Sequence, residues 1–303
     1  MISMPFNSST PVLYYNVDMF KKAGLDPEKP PLTWLTMGTV AKRLVEAGVS
    51  KAGFSSAWNG WIHIENLSAW HNVPIGTKAN GFGGLDAAYT FNGPVQVKHI
   101  QQLADWQKDN VFVYGGRTNV GNAKFSSGEV AMYTESSAGY AGFKKTCQFE
   151  FRTSMLPYWP DVKGAPQNTI IGGASLWVLK GHKPDAYKGV AAFFNYLSRP
   201  EVQAEWHQGT GYLPITLAAY ELTKKQGFYD KNPGTETALK QMTLNKPTEN
   251  SKGLRFGDHA KTRDIMDNEF EAIFAGKKTA KQGLDDAVKA GNDLLRKFEK
   301  ANK

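Results

Sequence analysis

The sequence predicts an α/β protein built in two lobes. Strand-like and helix-like stretches alternate along most of the chain, which favours a sheet covered by helices. The 303 residues exceed the roughly 100–200 of a usual single domain, so two lobes are expected. Apolar residues at 41% with 21% charged are the proportions of an ordinary soluble globular protein.

Residues 11–15 are a core-like apolar run and read as a strand. Residues 17–23 read as a short helix stopped by Gly24, and 26–31 as a proline-rich turn. Thr33 caps a helix from Trp34 to about Ala47, Gly48 ends it, and 53–56 form the next strand. Helices are expected over 65–71, 94–109 and 121–126. A strand at 130–134, a helix over 137–146 and a strand at 149–156 follow. After Ile170-Ile171-Gly172-Gly173-Ala174, residues 175–180 read as an apolar strand, and helices follow over 184–197 and 200–208. Residues 211–216 interrupt, and the remainder to Lys303 is helical with loops. The helices carrying Phe193, Phe194, Tyr196 and Leu197 need a sheet to cover, yet one strand lies near them in sequence. The missing strands are expected in a segment ahead of this chain, which would leave apolar faces around Trp177 and Phe193 exposed.

A net charge of +8 favours anionic partners: nucleic acid, an acidic membrane surface or a phosphorylated small molecule. The densest basic segment, 277–303, interleaves Glu, Asp and Ala at helical spacing and reads as a solvated amphipathic helix. No arginine-rich block or RNP-type aromatic motif is present, so no nucleic-acid partner is expected. No apolar run approaches the ~20 residues of a membrane span. Cys147, the single cysteine, leaves the redox compartment open. No secretory-signal pattern precedes Pro5.

Four stretches carry anion-friendly chemistry. Asn7-Ser8-Ser9 offers hydroxyls and amides. Ser136-Ser137-Ala138-Gly139 lies between a strand and a helix, where free N–H groups and the helix dipole favour phosphate. Gly172-Gly173-Ala174 is suited to a backbone nest, and Arg263 supplies a planar cationic fork. Taken singly, serines cap helices, paired glycines make turns and an arginine is solvated.

The order of these pieces resembles the family 1 extracellular solute-binding proteins, the receptors of ABC importers, in the branch that takes glycerol phosphate. The likeness runs over essentially the whole chain. Its specific stretches are Pro5-Phe6-Asn7-Ser8-Ser9-Thr10-Pro11-Val12-Leu13-Tyr14-Tyr15-Asn16, Phe20-Lys21-Lys22-Ala23-Gly24-Leu25-Asp26-Pro27, Ala165-Pro166-Gln167-Asn168, Ile170-Ile171-Gly172-Gly173-Ala174-Ser175-Leu176-Trp177-Val178, and Glu205-Trp206-His207-Gln208 with Thr210-Gly211-Tyr212-Leu213-Pro214-Ile215-Thr216.

The resemblance implies a two-lobe periplasmic-binding-protein fold of the maltose-binding type (type II), with the first lobe incomplete. Residues 1–173 and 226–303 would build the second lobe and 174–225 the returning part of the first. Ser9, Ser136, Gly173, Tyr212 and Arg263 would line the ligand pocket. Trp34 is a further candidate, for the glycerol part of a ligand, with core packing as the other reading. An aromatic and a carboxylate from the lobe ahead of Pro5 would complete the pocket. The implied ligand is sn-glycerol-3-phosphate or a glycerophosphodiester such as glycerophosphocholine, the partners are membrane permease subunits, and the implied receptor is a monomer of the periplasm without metal or cofactor.

Two rivals differ in class. An enzyme would use carboxylates such as Glu65 and Glu135, but no nucleophile elbow, His-Glu-x-x-His motif or Walker loop organises them, and the six histidines are scattered. A sugar-binding relative of the same fold would stack rings on Trp34, Trp58 and Trp61.

Overall fold

The computed structural model describes residues 3–303. Among the described residues, seven strands form two sheets: β1 (Ser3–Ser9), β2 (Pro11–Asn16), β3 (Ala52–Ser56), β4 (Phe112–Tyr114), β5 (Val130–Ser136), β6 (Phe151–Ser154) and β7 (Gly172–Trp177). The larger sheet has the order β4-β3-β5-β2-β6. Its β3 runs parallel to β4 and β5, while β2 is antiparallel to β5 and β6.

The sheet is covered on both faces, and β2 shows why. All its residues are buried, and alternate side chains enter different clusters. Leu13 and Tyr15 join Trp34, Phe54, Leu103 and Phe270. Val12 and Tyr14 join Phe125, Tyr133 and Phe143 on the other face. Helix Trp34–Glu46 starts where expected because Thr33 and Thr36 form a reciprocal capping box. Helix Pro94–Lys108 begins with proline at its first position, where no N–H is needed. The basic C-terminal segment is helix Ala280–Asn302, which buries Ala280, Leu284, Ala287 and Leu295 and turns its lysines outward.

Four elements differ from expectation, the first being β1, a strand over Ser3–Ser9 where the sequence suggested only a polar stretch ahead of the first strand. The helix expected at 65–71 begins earlier, as a π-helical turn over Trp61–Asn66 that continues into Leu67–Trp70. The strand expected at 175–180 is shifted to Gly172–Trp177, because its register is set by β1: Ser9 pairs with Gly172, Ser8 with Gly173 and Asn7 with Ala174. β4, three residues long, is an added parallel edge.

β1 and β7 form a two-stranded ribbon outside the main sheet. Around it the apolar surface is open: Trp177 is 66% and Phe193 52% exposed, and helix Pro184–Leu197 has no buried residue. Thr10 alone separates β1 from β2. Its hydroxyl donates to Thr169 Oγ1 at 2.7 Å, and Gln241 Nε2 donates to both Thr169 Oγ1 at 3.1 Å and the Pro11 carbonyl at 2.8 Å. The two chain crossings between ribbon and sheet, at Thr10 and at Thr169, are thus tied together by buried hydrogen bonds.

Candidate functional site

A cavity of about 530 Å³ opens where the ribbon meets the sheet, and Ser9, Ser136, Gly173, Tyr212 and Arg263 all line it. Five separate elements of the fold deliver them. Ser9 ends β1 and Ser136 ends β5, and the two come together because Pro11, two residues after Ser9, pairs with Ser136. Gly173 stands on β7 with φ +126°, and a Cβ there would lie 2.0 Å from the Asn7 carbonyl oxygen. Only glycine permits that backbone and that approach. The pair Gly172-Gly173 therefore lies where β7 pairs closely with β1, at the position the sequence suggested for an anion nest. Tyr212 sits in the loop after helix Pro200–Thr210, held by Leu213 N–H donating to the Ser8 carbonyl at 2.6 Å.

Three of the four N–H groups expected to be free after β5 are already engaged. Ser136 N–H donates to Glu135 Oε1 at 2.6 Å, Ser137 N–H to the Thr10 carbonyl at 3.0 Å and Ala138 N–H to Ser136 Oγ at 3.2 Å.

Arg263, on helix His259–Phe274, is bidentate to Glu65 through Nε at 2.7 Å and Nη2 at 2.6 Å. Glu65 is 1% exposed and also pairs with His259 Nε2 at 2.9 Å, while His259 Nδ1 meets the Tyr89 hydroxyl at 2.8 Å. Burial would raise the Glu65 carboxyl, but His259 and Arg263 prevail and hold it down to about 2. It is a fixed anion that aims the guanidinium, whose side chain remains 45% exposed at the cavity.

Trp34 is not in this cavity. It is 2% exposed in the core, its ring 4.5 Å from that of His99 and 6.2 Å from that of Phe54. Its place as the first residue of a capped helix turns it onto the sheet. Trp58 and Trp61, which the sequence offered only to the sugar-binding rival, do line the cavity. Trp58 has φ 45° and its N–H donates to Thr118, itself at φ 51°. Two non-glycine residues in left-handed backbone side by side hold this part of the wall at a cost in strain. Asn119, Asn122 and Glu135 complete the polar lining. Glu135 was visible as the one charged side chain in an otherwise neutral strand, next to the Ser136-Ser137 pair.

A profile of the bacterial extracellular solute-binding proteins matches residues 1–237. This chain belongs to that family. Over its full length it is 54% identical to the sn-glycerol-3-phosphate-binding periplasmic protein UgpB of Pectobacterium atrosepticum, of which it spans 68%. It is likewise 54% identical to UgpB of Yersinia pseudotuberculosis, spanning 69%. In structure this solute-binding protein is similar to UgpB from Mycobacterium tuberculosis in complex with glycerophosphocholine, with TM-score 0.77 and 20% identity over 98% of this chain and 71% of that one. It is similar also to the cyclic α-maltosyl-1,6-maltose binding protein from Arthrobacter globiformis, with TM-score 0.74 and 23% identity over 98% and 72% of the two chains. The solute-binding protein therefore has the fold of the maltose-binding type.

Proposed function

We propose that this chain captures sn-glycerol-3-phosphate, and glycerophosphodiesters such as glycerophosphocholine, for the membrane permease subunits of an ABC importer, in the periplasm and as a monomer. We further propose that Ser9, Ser136, Gly173, Tyr212 and Arg263 hold the phosphate and polyol, and that residues 1–173 with 226–303 make one lobe and 174–225 part of the other. The observation that carries the reading is the convergence of those five residues, distant in sequence, on one cavity. The names of the 54% identical relatives support the ligand class.

A bound phosphate must regain the hydrogen bonds it leaves in water. Bonds to a charged group contribute roughly 1.5–3 kcal/mol each, so a handful match the ~8 kcal/mol of a micromolar site before the cost of association. Arg263 has three N–H donors left after the two engaged by Glu65. Serine and tyrosine hydroxyls supply the neutral donors. In a sugar-binding reading, supported by Trp58 and Trp61 in the wall, those rings would stack on a pyranose.

Calorimetry with glycerol-3-phosphate and with maltose, on this chain and on one extended by the N-terminal lobe of a close relative, separates the readings. Glycerol-3-phosphate heat on the extended chain, weak on the short one, is expected, and Arg263→Ala should weaken binding by roughly 2–5 kcal/mol. Binding of maltose alone, or affinity indifferent to Arg263, would overturn the proposal.

A further inference from the structure

We propose that Glu135 is a specificity-determining residue of this cavity: its carboxyl is in the neutral acid form when a phosphate group is bound, so that ligand binding takes up a proton from solvent. This rests on the phosphate reading above and concerns a residue outside the five assigned to the ligand.

Glu135 lies near the end of β5, immediately before Ser136, and lines the same cavity as Ser9 and Arg263. It is 2% exposed. Oε1 accepts from Ser136 N–H at 2.6 Å, and the Asn122 amide, turned to face it, donates to Oε2 at 2.7 Å. Its Cγ lies 2.8 Å from where a Cβ on residue 139 would stand, so Gly139 lets helix Gly139–Thr146 start directly over it. The carboxyl is thus held in place by packing and by neutral donors. Burial pushes it up to about 7, against the opposing pull of the Ser136 amide, Trp58 and Asn122, and no cation is among the groups that act on it.

The ionisable groups around it do not supply the missing charge. Tyr14 on β2 and Tyr133 on β5 are raised, first by burial and then by Glu135 itself, and both stay neutral. Arg263, the cation in the cavity lining, is already committed to Glu65. A phosphate entering beside an ionised Glu135 would set like charges together in a low-dielectric wall, which costs more than drawing one proton to a carboxyl already poised near neutrality. Once neutral, the carboxyl also gains an O–H with which to donate. The balance is simple: the carboxylate, one proton and the anion combine into a neutral acid beside a bound anion, and no bond other than O–H forms.

The Ser136 amide reports the state of this carboxyl through its hydrogen bond, so its NMR shift can be followed against pH with and without sn-glycerol-3-phosphate, in the wild type and in Glu135→Gln. The expected result is a titration midpoint that moves upward by about one unit with ligand and a titration lost in the variant. By linkage, affinity for the phosphate should then be roughly tenfold weaker well above the midpoint than below it. Should Glu135→Gln fail to fold, the ligand-dependent midpoint of the wild type decides alone. If ligand moves the Gly173 and Tyr212 amides while the Ser136 midpoint stays put, the proton coupling is wrong and phosphate binding stands. If millimolar ligand moves no cavity amide in the chain extended by the N-terminal lobe of a close relative, the phosphate reading fails and takes this proposal with it.

Discussion

Replacing Glu65 by glutamine tests how the cavity's arginine is held. The carboxylate is 1% exposed and accepts from Arg263 Nε, Arg263 Nη2 and His259 Nε2. Glutamine keeps the size but loses the charge and one acceptor. The gap between the usual 4.5 and the folded value of about 2 corresponds to on the order of 3 kcal/mol of folding free energy at neutral pH. Because Arg263 is 45% exposed and can return to water, we expect about 2–3 kcal/mol from urea denaturation at pH 7. The pH dependence is the sharper test. A carboxyl depressed on folding contributes stability that is present above about 4.5 and lost as pH falls through about 2. The difference between wild type and Glu65→Gln should therefore be full and flat from neutrality to about pH 5, and about 1 kcal/mol or more smaller by about pH 3.5. A gap that stays constant across that window, or no gap at neutrality, would refute the reasoning.

The remaining predictions concern other parts of the fold. Trp159 Nε1 donates to His99 Nδ1 at 3.3 Å, and His99 Nε2 meets His63 Nδ1 at 2.9 Å, a chain satisfied by neutral rings. Burial lowers His63 to about 3 and His71 to about 4, so stability should fall as pH drops below 6.5, by about 2 kcal/mol per ring at about pH 5, and His63→Leu should flatten the curve seen in pH-dependent denaturation. Gly173→Ala drives a Cβ to 2.0 Å from the Asn7 oxygen at φ +126°, and should cost about 2 kcal/mol or more and weaken ligand binding, read by melting and calorimetry. Trp34→Phe should lower stability by roughly 1–3 kcal/mol while leaving ligand affinity unchanged, and altered affinity would return Trp34 to the site.

Legibility in the sequence followed the range of the interaction responsible. The helices opening at Thr33 and Pro94 depend on capping chemistry within four residues, and were readable to within a residue or so. β2 was readable because every residue of it is buried. The register of β7 was not, since it is set by β1 more than 160 residues away, and the π-helical turn at Trp61–Asn66 has no local signature. In the cavity, resemblance and chemistry pointed to five residues that do share it, whereas Trp34 misled because an aromatic at a helix start says nothing of which way the helix faces. Glu135 was considered only as a carboxylate of the enzyme rival and Asn122 not at all, because their relation is spatial: one lies near the end of a strand and the other opens a neighbouring helix.

Thr10, the single residue linking β1 to β2, gives the cavity a mechanical property. Ser9 rides on the ribbon and Ser136 on the main sheet, on opposite sides of that joint. Any swing of one sheet against the other changes the span between the two hydroxyls, so a ligand gripping both acts as a gauge block that sets the angle. The Thr10–Thr169–Gln241 hydrogen bonds lie at that joint. A small molecule would thus convert occupancy into shape, the quantity that another protein can read from outside.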